Sequence, residues 1–187
     1  MDNIKFFDII KNELFKNHLT QPQVDGINTI LNKLVNKKIS DNRWIAYILA
    51  TVYHETAATM QPIEEYGKGK GYPYGKKIKR SRLPYTSPDQ IYYVRGFCQI
   101  TWYENYELFG RLLKIDLLNH PELALNVNVA SEILIEGMTK GDFTGKYLEI
   151  YFNDKVTDWF NARKIINGLD KAELIAGYAE SFFKALS

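Results

Sequence analysis

Apolar residues recur at intervals of three and four along most of the chain, the spacing of one face of an α-helix. The pattern predicts an amphipathic helix over residues 3–16, a second helix beginning near Pro22, another around Val129 to Met138, and a last helix near the end of the sequence. The expected core positions are Ile4, Phe7, Ile10 and Leu14 in the first helix, Val24, Ile27, Ile30, Leu31 and Leu34 in the second, and Leu174, Tyr178, Phe182 and Leu186 in the last. The chain is therefore predicted to be mainly α.

The most apolar helix begins near Trp44. Ser40 or Asp41 can cap its start. Pro62 disfavours helix for the residue before it, so the helix is predicted to end near residues 59–60. One face carries apolar residues at helical spacing, namely Ile45, Ile48, Leu49 and Val52. Glu55 is therefore expected in the last turn of a largely buried helix.

This position of Glu55 suits a catalytic acid. Burial and the negative carbonyl end of a helix both favour the protonated form of a carboxyl group, and a general acid must carry its proton near neutral pH. Glu64 and Glu65 follow beyond the turn at Pro62. An acid on a rigid helix with a second carboxyl group facing it indicates glycoside hydrolysis. The alternative is an ordinary exposed glutamate at a helix end.

Residues 66–88 have a different composition. They hold four glycines, three prolines and seven basic residues without a single acid; the basic residues are Lys68, Lys70, Lys76, Lys77, Lys79, Arg80 and Arg82. This density of glycine and proline predicts a long loop or an irregular hairpin. The basic segment, as we call residues 66–88, can hold an anionic polymer beside the carboxylates or bind nucleic acid, and it can also be a solvated flap.

Residues 91–106 combine aromatic side chains with turn signals. Gly96 interrupts an apolar run and indicates a close backbone approach. Thr101 and Glu104 have the spacing of a capping box, which predicts a helix beginning there. Aromatic faces can pack on sugar rings, although a cluster of this kind is more often core.

Composition narrows the classes of protein. The chain has 187 residues, 45% of them apolar, which predicts one compact domain. The net charge of +2 does not by itself imply a nucleic-acid or membrane partner. A single cysteine, Cys98, excludes an internal disulfide and a multi-cysteine metal site. Ala58 stands where a zinc protease would place its second histidine after His54, so no metal or other cofactor is expected.

Three stretches together resemble glycoside hydrolase family 19, and within it the phage and prophage endolysin branch more than the plant chitinases. They are HETAATMQPIEEYGKGKG, VRGFCQITWYENY and NARKIINGLDKAELIAGY. The resemblance covers roughly residues 40–183. It implies a lysozyme-like helical fold with two lobes around a groove, here a single catalytic domain over 1–187 with a smaller helical lobe at about 107–158. It also implies an inverting mechanism without a metal.

The resemblance also implies roles for individual residues. Glu55 of the H-E-T motif would be the general acid, and Thr101 would help to hold the attacking water. Substrate-binding roles would fall to His54, Arg95, Gln99, Asn105, Tyr106 and Asn167.

The second carboxylate stays open between two neighbours. Counting without a gap from Glu55 favours Glu64, whereas aligning the apolar residues Met60 and Ile63 with the endolysin branch favours Glu65, to which we give a slight preference. In an extended segment the two side chains would point to opposite faces, so only one can be the base.

The expected function is therefore hydrolysis of the β-1,4 glycan backbone of peptidoglycan. Two alternatives remain: a chitinase, and a non-catalytic module that binds the cell wall or nucleic acid. The expected partner is a glycan strand and not nucleic acid, and the expected state is a monomer. The first sixteen residues carry charges every few positions and lack the apolar region of a signal peptide. A location in the cytoplasm until release through a holin, followed by action on the cell wall or in the periplasm, is expected. No apolar run is long enough to span a bilayer.

Overall fold

A computed structural model describes residues 3–98 and 100–187, so the predicted binding residue Gln99 lies outside the described residues. These residues form seven α-helices, two short β-strands and three 3₁₀ turns. The helices are α1 (Asn3–Glu13), α2 (Gln21–Asn36), α3 (Asn42–Glu55), α4 (Tyr103–Leu113), α5 (Val127–Lys140), α6 (Leu148–Tyr151) and α7 (Ala172–Leu186). The strands are β1 (Ile63–Glu64) and β2 (Arg95–Gly96), and the turns are Pro73–Gly75, Pro121–Leu125 and Asn161–Ile165. The predicted mainly α fold is confirmed.

The chain divides into two compact units. The first comprises Met1–Gln61 with Leu134–Ser187, and the second comprises Pro62–Ile133, so the boundary falls inside α5. The smaller lobe expected at about 107–158 overlaps parts of both units, and the arrangement of two lobes around a groove stays a prediction. Within the described residues, no helix combines the length and apolar character needed to cross a membrane.

The core of the first unit is built on α3. All seven residues from Ala46 to Val52 are buried, because α7 packs along α3 and α2 contacts it as well. The apolar face predicted for α2 is confirmed, since Ile27, Ile30, Leu31 and Leu34 are buried. A helix covered on more than one side is held in a fixed position, and this fixes Glu55 at its end.

The predicted core faces of α1 and α7 are confirmed only in part: Ile10, Leu14 and Phe182 are buried, but Ile4 and Leu174 are not. Ile4 is 79% exposed and Leu174 is 45% exposed. The buried residues are Phe6 and Ile10 in α1, and Ala172, Ile175, Ala179, Phe182 and Ala185 in α7. Both helices carry more apolar residues than one face can hold, so the spacing admits two registers. In α7 the buried face is the one rich in alanine, and small side chains allow a close approach between packed helices.

The start of α3 is as predicted, but its end is not. Asp41 is the N-cap, and its carboxylate accepts a hydrogen bond from the Arg43 backbone N–H at 2.8 Å. The helix ends at Glu55 and not near residues 59–60, because the non-glycine residues Ala57, Ala58 and Met60 have positive φ angles. Pro62 is therefore not what ends the helix. Glu55 is the last helical residue.

The second unit contains the only two strands found among the described residues. β1 pairs antiparallel with β2, so that Ile63 lies opposite Gly96 and Glu64 lies opposite Arg95. Gly96 has a φ of 96°, and a Cβ there would lie 3.3 Å from the Ala124 carbonyl oxygen, which confirms the close backbone approach. Within the basic segment an isolated bridge joins Ile78 to Pro84, so the predicted irregular hairpin is confirmed.

We expect Gly26→Ala to destabilise the protein, because a Cβ at Gly26 would lie 1.9 Å from the Met60 carbonyl oxygen in the turn that follows α3. Overpacking of this kind costs about 1–3 kcal/mol. Gly177→Ala in α7 is the matched control, since nothing lies within 4 Å of its added Cβ. That change should stabilise by about 0.5–1 kcal/mol, the usual gain of alanine over glycine inside a helix. Urea unfolding measures both, and equal stability of the two variants would contradict the packing of α2 on this turn.

Candidate active site

Glu55 forms a buried ion pair at the end of α3. The Arg163 Nη1 donates a hydrogen bond to the Glu55 Oε1 at 2.7 Å. The Arg163 side chain is only 5% exposed and the Glu55 side chain only 15% exposed. The prediction that Glu55 lies in the last turn of a largely buried helix is confirmed. A buried charge is stable only when it is paired and hydrogen-bonded, so Arg163 fixes the position of this carboxyl group.

Sequence reasoning missed Arg163. Its side chain is held a second time, since the Nε donates to the Asp170 carbonyl oxygen at 3.1 Å. The residue lies in the 3₁₀ turn Asn161–Ile165, which directly precedes the I-N-G motif. The turn reads NARKI, so Arg163 stands beside a second basic residue, Lys164, and nothing in its spacing points to a carboxylate 108 positions earlier.

The other predicted residues of the first unit are His54 and Asn167. His54 is half-buried in the last turn of α3, and within the described part of the chain no hydrogen bond to its ring is present. Asn167 is exposed, and its Oδ1 accepts a hydrogen bond from the Gly168 backbone N–H at 2.9 Å. Their substrate-binding roles stay predictions.

In the second unit, Glu64 is held by two neighbours. The Tyr93 hydroxyl donates to the Glu64 Oε2 at 2.6 Å, and the Lys68 Nζ lies 3.0 Å from the Oε1. The hydrogen bond from Tyr93, followed by that from Lys68, lowers the pKa of Glu64 below its usual range. The side chain is still 33% exposed. Glu64 is thus a carboxylate that stays ionised and can meet solvent.

Tyr93 is itself positioned by Arg95. The Arg95 guanidinium lies 3.5 Å from the centre of the Tyr93 ring and donates to the Tyr106 hydroxyl at 3.0 Å. The Tyr106 hydroxyl donates in turn to the Tyr93 carbonyl oxygen at 2.8 Å. The signal for Tyr93 was available, because Tyr93 and Arg95 are two positions apart and share one face of an extended segment.

Arg95 and Tyr106 lie in the interior of the second unit, and their predicted substrate-binding roles stay predictions. Arg95 is 6% exposed and Tyr106 has no exposed surface. Their hydrogen bonds go to protein groups. Both hold the backbone and ring of Tyr93, and through Tyr93 they support Glu64.

Glu65 has surroundings unlike those of Glu64. Its Oε1 accepts a hydrogen bond from the Tyr74 hydroxyl at 3.3 Å, while its Oε2 is buried. The two neighbouring glutamates thus have different partners, and the prediction that only one of them is the base stays a prediction. Each has its own tyrosine, and only Glu64 has an ion-pair partner among the described residues.

The capping box predicted at Thr101 and Glu104 is wrong. Helix α4 begins at Tyr103 after Trp102, which has a φ of 74° and no side-chain cap. The Thr101 hydroxyl donates to the Tyr92 carbonyl oxygen at 3.1 Å, and Glu104 accepts from the Arg80 backbone N–H at 2.8 Å. An acceptor-only carboxylate could not replace this hydroxyl.

Asn105 lies one turn into α4. Its Nδ2 donates to the Thr101 carbonyl oxygen at 2.7 Å, so the structure brings these two predicted site residues together. Asn105 is half-buried. Its substrate-binding role and the water-positioning role of Thr101 stay predictions. No group of three or more candidate metal ligands occurs among the described residues.

The mainly helical fold and its three glutamates, each held by its own neighbours, occur in a chain that matches a known family of enzymes. The family model of glycoside hydrolase family 19, described as chitinase class I, matches residues 34–136, which is more than half of the chain. This protein therefore belongs to glycoside hydrolase family 19. The matched region contains Glu55, both neighbouring glutamates and the segment around Arg95.

Plant proteins of this family align with about half of the chain. It is 34% identical over 99 residues to an endochitinase of Phaseolus vulgaris, covering 48% of this chain and 29% of that protein. It is 35% identical over 101 residues to the acidic endochitinase SP2 of Beta vulgaris, covering 52% and 34%. The similarity thus spans about a third of the length of these relatives.

Solved structures of bacterial proteins match nearly the whole chain. Chitinase C from Streptomyces griseus HUT6037 superposes with a TM-score of 0.69 at 23% identity, covering 99% of this chain and 76% of that one. A bacterial family 19 chitinase superposes with a TM-score of 0.61 at 20% identity, covering 100% and 94%. These similarities establish the fold. The narrower resemblance to the endolysin branch rests on the sequence motifs.

We expect Tyr93→Phe to raise the pKa of Glu64, because it removes the largest cause of the lowered value. A carboxylate with a lowered pKa stays ionised to lower pH, so the substitution should move the acid limb of the profile of kcat/KM against pH to higher pH. Tyr66→Phe is the matched control, since Tyr66 is fully exposed. An acid limb that does not move in Tyr93→Phe would mean that Glu64 is not the base.

Proposed function

We propose that this protein is an inverting glycoside hydrolase that cleaves the β-1,4 glycan backbone of peptidoglycan. The observation that carries the proposal is the pair of carboxyl groups with different support: Glu55 held by a buried guanidinium, and Glu64 kept ionised by Tyr93 and Lys68. The assignment of the acid to Glu55 rests on its place at the end of α3 and on the H-E-T motif, and not on the ion pair, because a guanidinium favours the ionised form of a carboxyl group. Membership of family 19 supports the reaction class.

In this mechanism Glu55 donates a proton to the glycosidic oxygen, and Glu64 removes a proton from the water that attacks the anomeric carbon. We assign the base to Glu64 and not to Glu65, which had the slight preference from sequence. A base has to be ionised and accessible to water, and Glu64 meets both conditions.

Thr101 completes the proposed water site. Its hydroxyl hydrogen is committed to the Tyr92 carbonyl oxygen, so the hydroxyl oxygen is left to accept a hydrogen bond. A water molecule can then donate one hydrogen to Thr101 and the other to Glu64. This arrangement would direct an oxygen lone pair of the water toward the sugar.

The basic segment supports peptidoglycan over chitin. The stem peptides of peptidoglycan carry free carboxylates, whereas chitin is neutral. Lys70, Lys76 and Arg80 are exposed, and no ion pair holds them in the part of the chain that the structure describes. Such side chains attract an anionic polymer at long range.

Chitin is the second candidate substrate. The matching family is described as chitinase class I, and the plant relatives are named endochitinases. Chitin and the peptidoglycan backbone share β-1,4-linked N-acetylglucosamine, so the same pair of carboxyl groups can cleave either polymer.

The endolysin resemblance also supports a proposal for location. The chain would remain in the cytoplasm until a holin opens the membrane, and would then act as a monomer on the cell wall. Its partner would be the glycan strand, without a role for nucleic acid.

Mass spectrometry of the products from purified peptidoglycan and from chitin oligomers tests the proposed function. We expect glycan fragments from peptidoglycan, and the sugar at the new reducing end identifies the bond that is cut. Glu55→Gln and Glu64→Gln should each lower turnover on the order of a hundredfold or more. Glutamine keeps an acceptor for Arg163 but leaves the buried arginine charge without its counter-charge, so thermal melts should show a folded Glu55→Gln protein with a lower Tm.

Glu122→Gln is the matched control, because this glutamate is largely exposed and pairs only with His120 among the described residues. Products from chitin oligomers alone would favour the second candidate. A folded wild-type protein that releases no products from either polymer would rule out glycosidase activity, and salt-sensitive DNA binding would then favour a nucleic-acid module.

We expect the triple variant Lys70→Gln, Lys76→Gln and Arg80→Gln to raise KM for peptidoglycan more than it lowers kcat, and to weaken the salt dependence of activity. Ions screen exposed charges over about 8–10 Å near physiological ionic strength. Three exposed lysines outside the basic segment, Lys146, Lys155 and Lys171, serve as the matched triple control. Activity on neutral N-acetylglucosamine oligomers should not change. An equal loss on the neutral oligomers would show that the three charges do not select an anionic substrate.

A further inference from the structure

One asparagine of this chain, Asn167, is followed directly by glycine, and no other asparagine in the sequence is. Asparagine is one of the chemically labile residues. Because glycine has no Cβ, the backbone nitrogen that joins the two residues is little hindered. That nitrogen can attack the amide carbon of the asparagine side chain when the backbone brings the two together. Whether the dipeptide reacts therefore depends on how the fold presents it.

Asn167 and Gly168 lie in an exposed segment between the 3₁₀ turn Asn161–Ile165 and α7. All residues from 167 to 171 are exposed. The Gly168 backbone N–H donates to the Asn167 Oδ1 at 2.9 Å, and to no other group among the described residues. Since this oxygen is bonded to the amide carbon Cγ, the contact keeps the nitrogen beside the carbon that it would attack.

The one aspartate that is followed by glycine, Asp25, shows the opposite case. Its carboxyl group could form the same cyclic imide with the Gly26 nitrogen, but both residues lie inside α2 and Gly26 is buried. A helix holds each interior backbone N–H on the carbonyl oxygen four residues earlier. A similar local sequence is thus kept from reacting there, so exposure and backbone freedom distinguish Asn167.

The exposed segment is tied to Arg163 on both sides of the dipeptide. The Asn167 N–H donates to the Arg163 carbonyl oxygen at 3.0 Å, and the Arg163 Nε donates to the Asp170 carbonyl oxygen at 3.1 Å. The same guanidinium donates to the Glu55 Oε1 at 2.7 Å. A change in backbone length between residues 163 and 170 therefore acts on the residue that holds Glu55.

Neighbouring contacts restrict how such a change can be absorbed. Before the segment, the Thr144 hydroxyl donates to the Lys164 carbonyl oxygen at 2.7 Å. After it, the Ala172 N–H donates to the Leu169 carbonyl oxygen at 3.1 Å at the start of α7. A backbone atom inserted between these two contacts has to be accommodated by the few residues that separate them, and hence by their hydrogen bonds with Arg163.

We propose that Asn167 is a site of spontaneous deamidation, and that the isoaspartate formed there loosens the contact between Arg163 and Asp170. The Gly168 nitrogen gives its proton to a hydroxide ion and attacks the Asn167 Cγ. The new N–C bond closes a succinimide, while the bond from Cγ to the side-chain amide nitrogen breaks. That nitrogen takes a proton from water and leaves as ammonia, so the only co-reactant is water.

Water then opens the succinimide at either of its carbonyl carbons. Breaking the bond from the nitrogen to Cγ gives aspartate with an unchanged backbone. Breaking the bond from the nitrogen to the main-chain carbonyl carbon of residue 167 gives isoaspartate, in which the chain runs through Cβ and Cγ and is longer by a single carbon. Each route consumes one water and releases one ammonia overall, and each product carries a new carboxylate.

Peptide mapping by mass spectrometry tests the proposed reaction on the intact chain, incubated in neutral buffer and sampled over time. Chromatography separates the isoaspartyl, aspartyl and unmodified forms of each peptide. We expect Asn167 to convert faster than Asn119, which is also exposed but precedes His120. Asp25 should not form isoaspartate. Conversion of Asn167 no faster than that of Asn119 would overturn the proposal.

Gly168→Ala is the matched variant. A Cβ at Gly168 would meet nothing within 4 Å, and the φ angle of this residue lies outside the positive range that favours glycine, so the fold should be kept. The added methyl group hinders the nitrogen and restricts the backbone, so the conversion of Asn167 should slow on the order of tenfold. Gly177→Ala in α7 also meets nothing within 4 Å and should leave the conversion rate unchanged. Equal conversion in wild type and Gly168→Ala would contradict attack by the Gly168 nitrogen and overturn the proposal.

Thermal melts measure the effect on Arg163. The Tm of the wild type should fall as isoaspartate accumulates, because the support of a buried ion pair is weakened, whereas Gly168→Ala should keep its Tm over the same time. Asn167→Asp reproduces the aspartyl product without the longer backbone, so its Tm should fall less than that of the isolated isoaspartyl protein. An isoaspartyl protein that melts like the unmodified one would overturn the link to Arg163. Neither measurement requires catalysis, so the result is independent of the proposed function.

Discussion

The buried ion pair between Glu55 and Arg163 sets the geometry of the first unit. Removing either partner would leave the other charge buried and alone, which is far more costly than the net gain from the pair itself. The end of α3 and the 3₁₀ turn Asn161–Ile165 are therefore bound to each other, although they are far apart in sequence. The buried length of α3 supports this contact, because a helix enclosed by α7 and α2 cannot shift its last turn. The same contact that stabilises the unit orients the candidate acid.

In the second unit, the register of the two strands fixes the position of the candidate base. The pairing of β1 with β2 places Glu64 opposite Arg95, and a shift of one residue would exchange Glu64 for Glu65. Arg95 donates its hydrogen bonds to backbone carbonyl oxygens and to the Tyr106 hydroxyl, and its planar guanidinium stacks on the Tyr93 ring. A buried arginine thus acts on the candidate base through a tyrosine and not by direct contact.

Much of the helical fold could be predicted from sequence, because amphipathic spacing follows directly from burial of one face. Prediction from spacing failed for some positions in α1 and α7, where several apolar residues compete for one face. It also failed where the backbone takes positive φ at non-glycine residues. The end of α3 at Ala57 and Ala58 and the start of α4 after Trp102 are both of this kind. Propensity gives no warning of such residues, because the surrounding tertiary contacts hold them in place.

For the candidate site, too, part could be predicted from sequence and part could not. Glu55, Glu64 and Glu65 could be found as carboxylates near a helix end and a turn, and period-two alternation predicted different directions for the side chains of the last two. Alternation does not determine which of the two glutamates meets which neighbours, since that depends on the partner strand and on the side chains around it. Tyr93 and Lys68 gather at Glu64, whereas Tyr74 alone meets Glu65. Glu64 is paired and partly exposed, whereas Glu65 has a buried oxygen with no donor among the described residues, so adjacent identical residues come to have different chemistry from their neighbours alone.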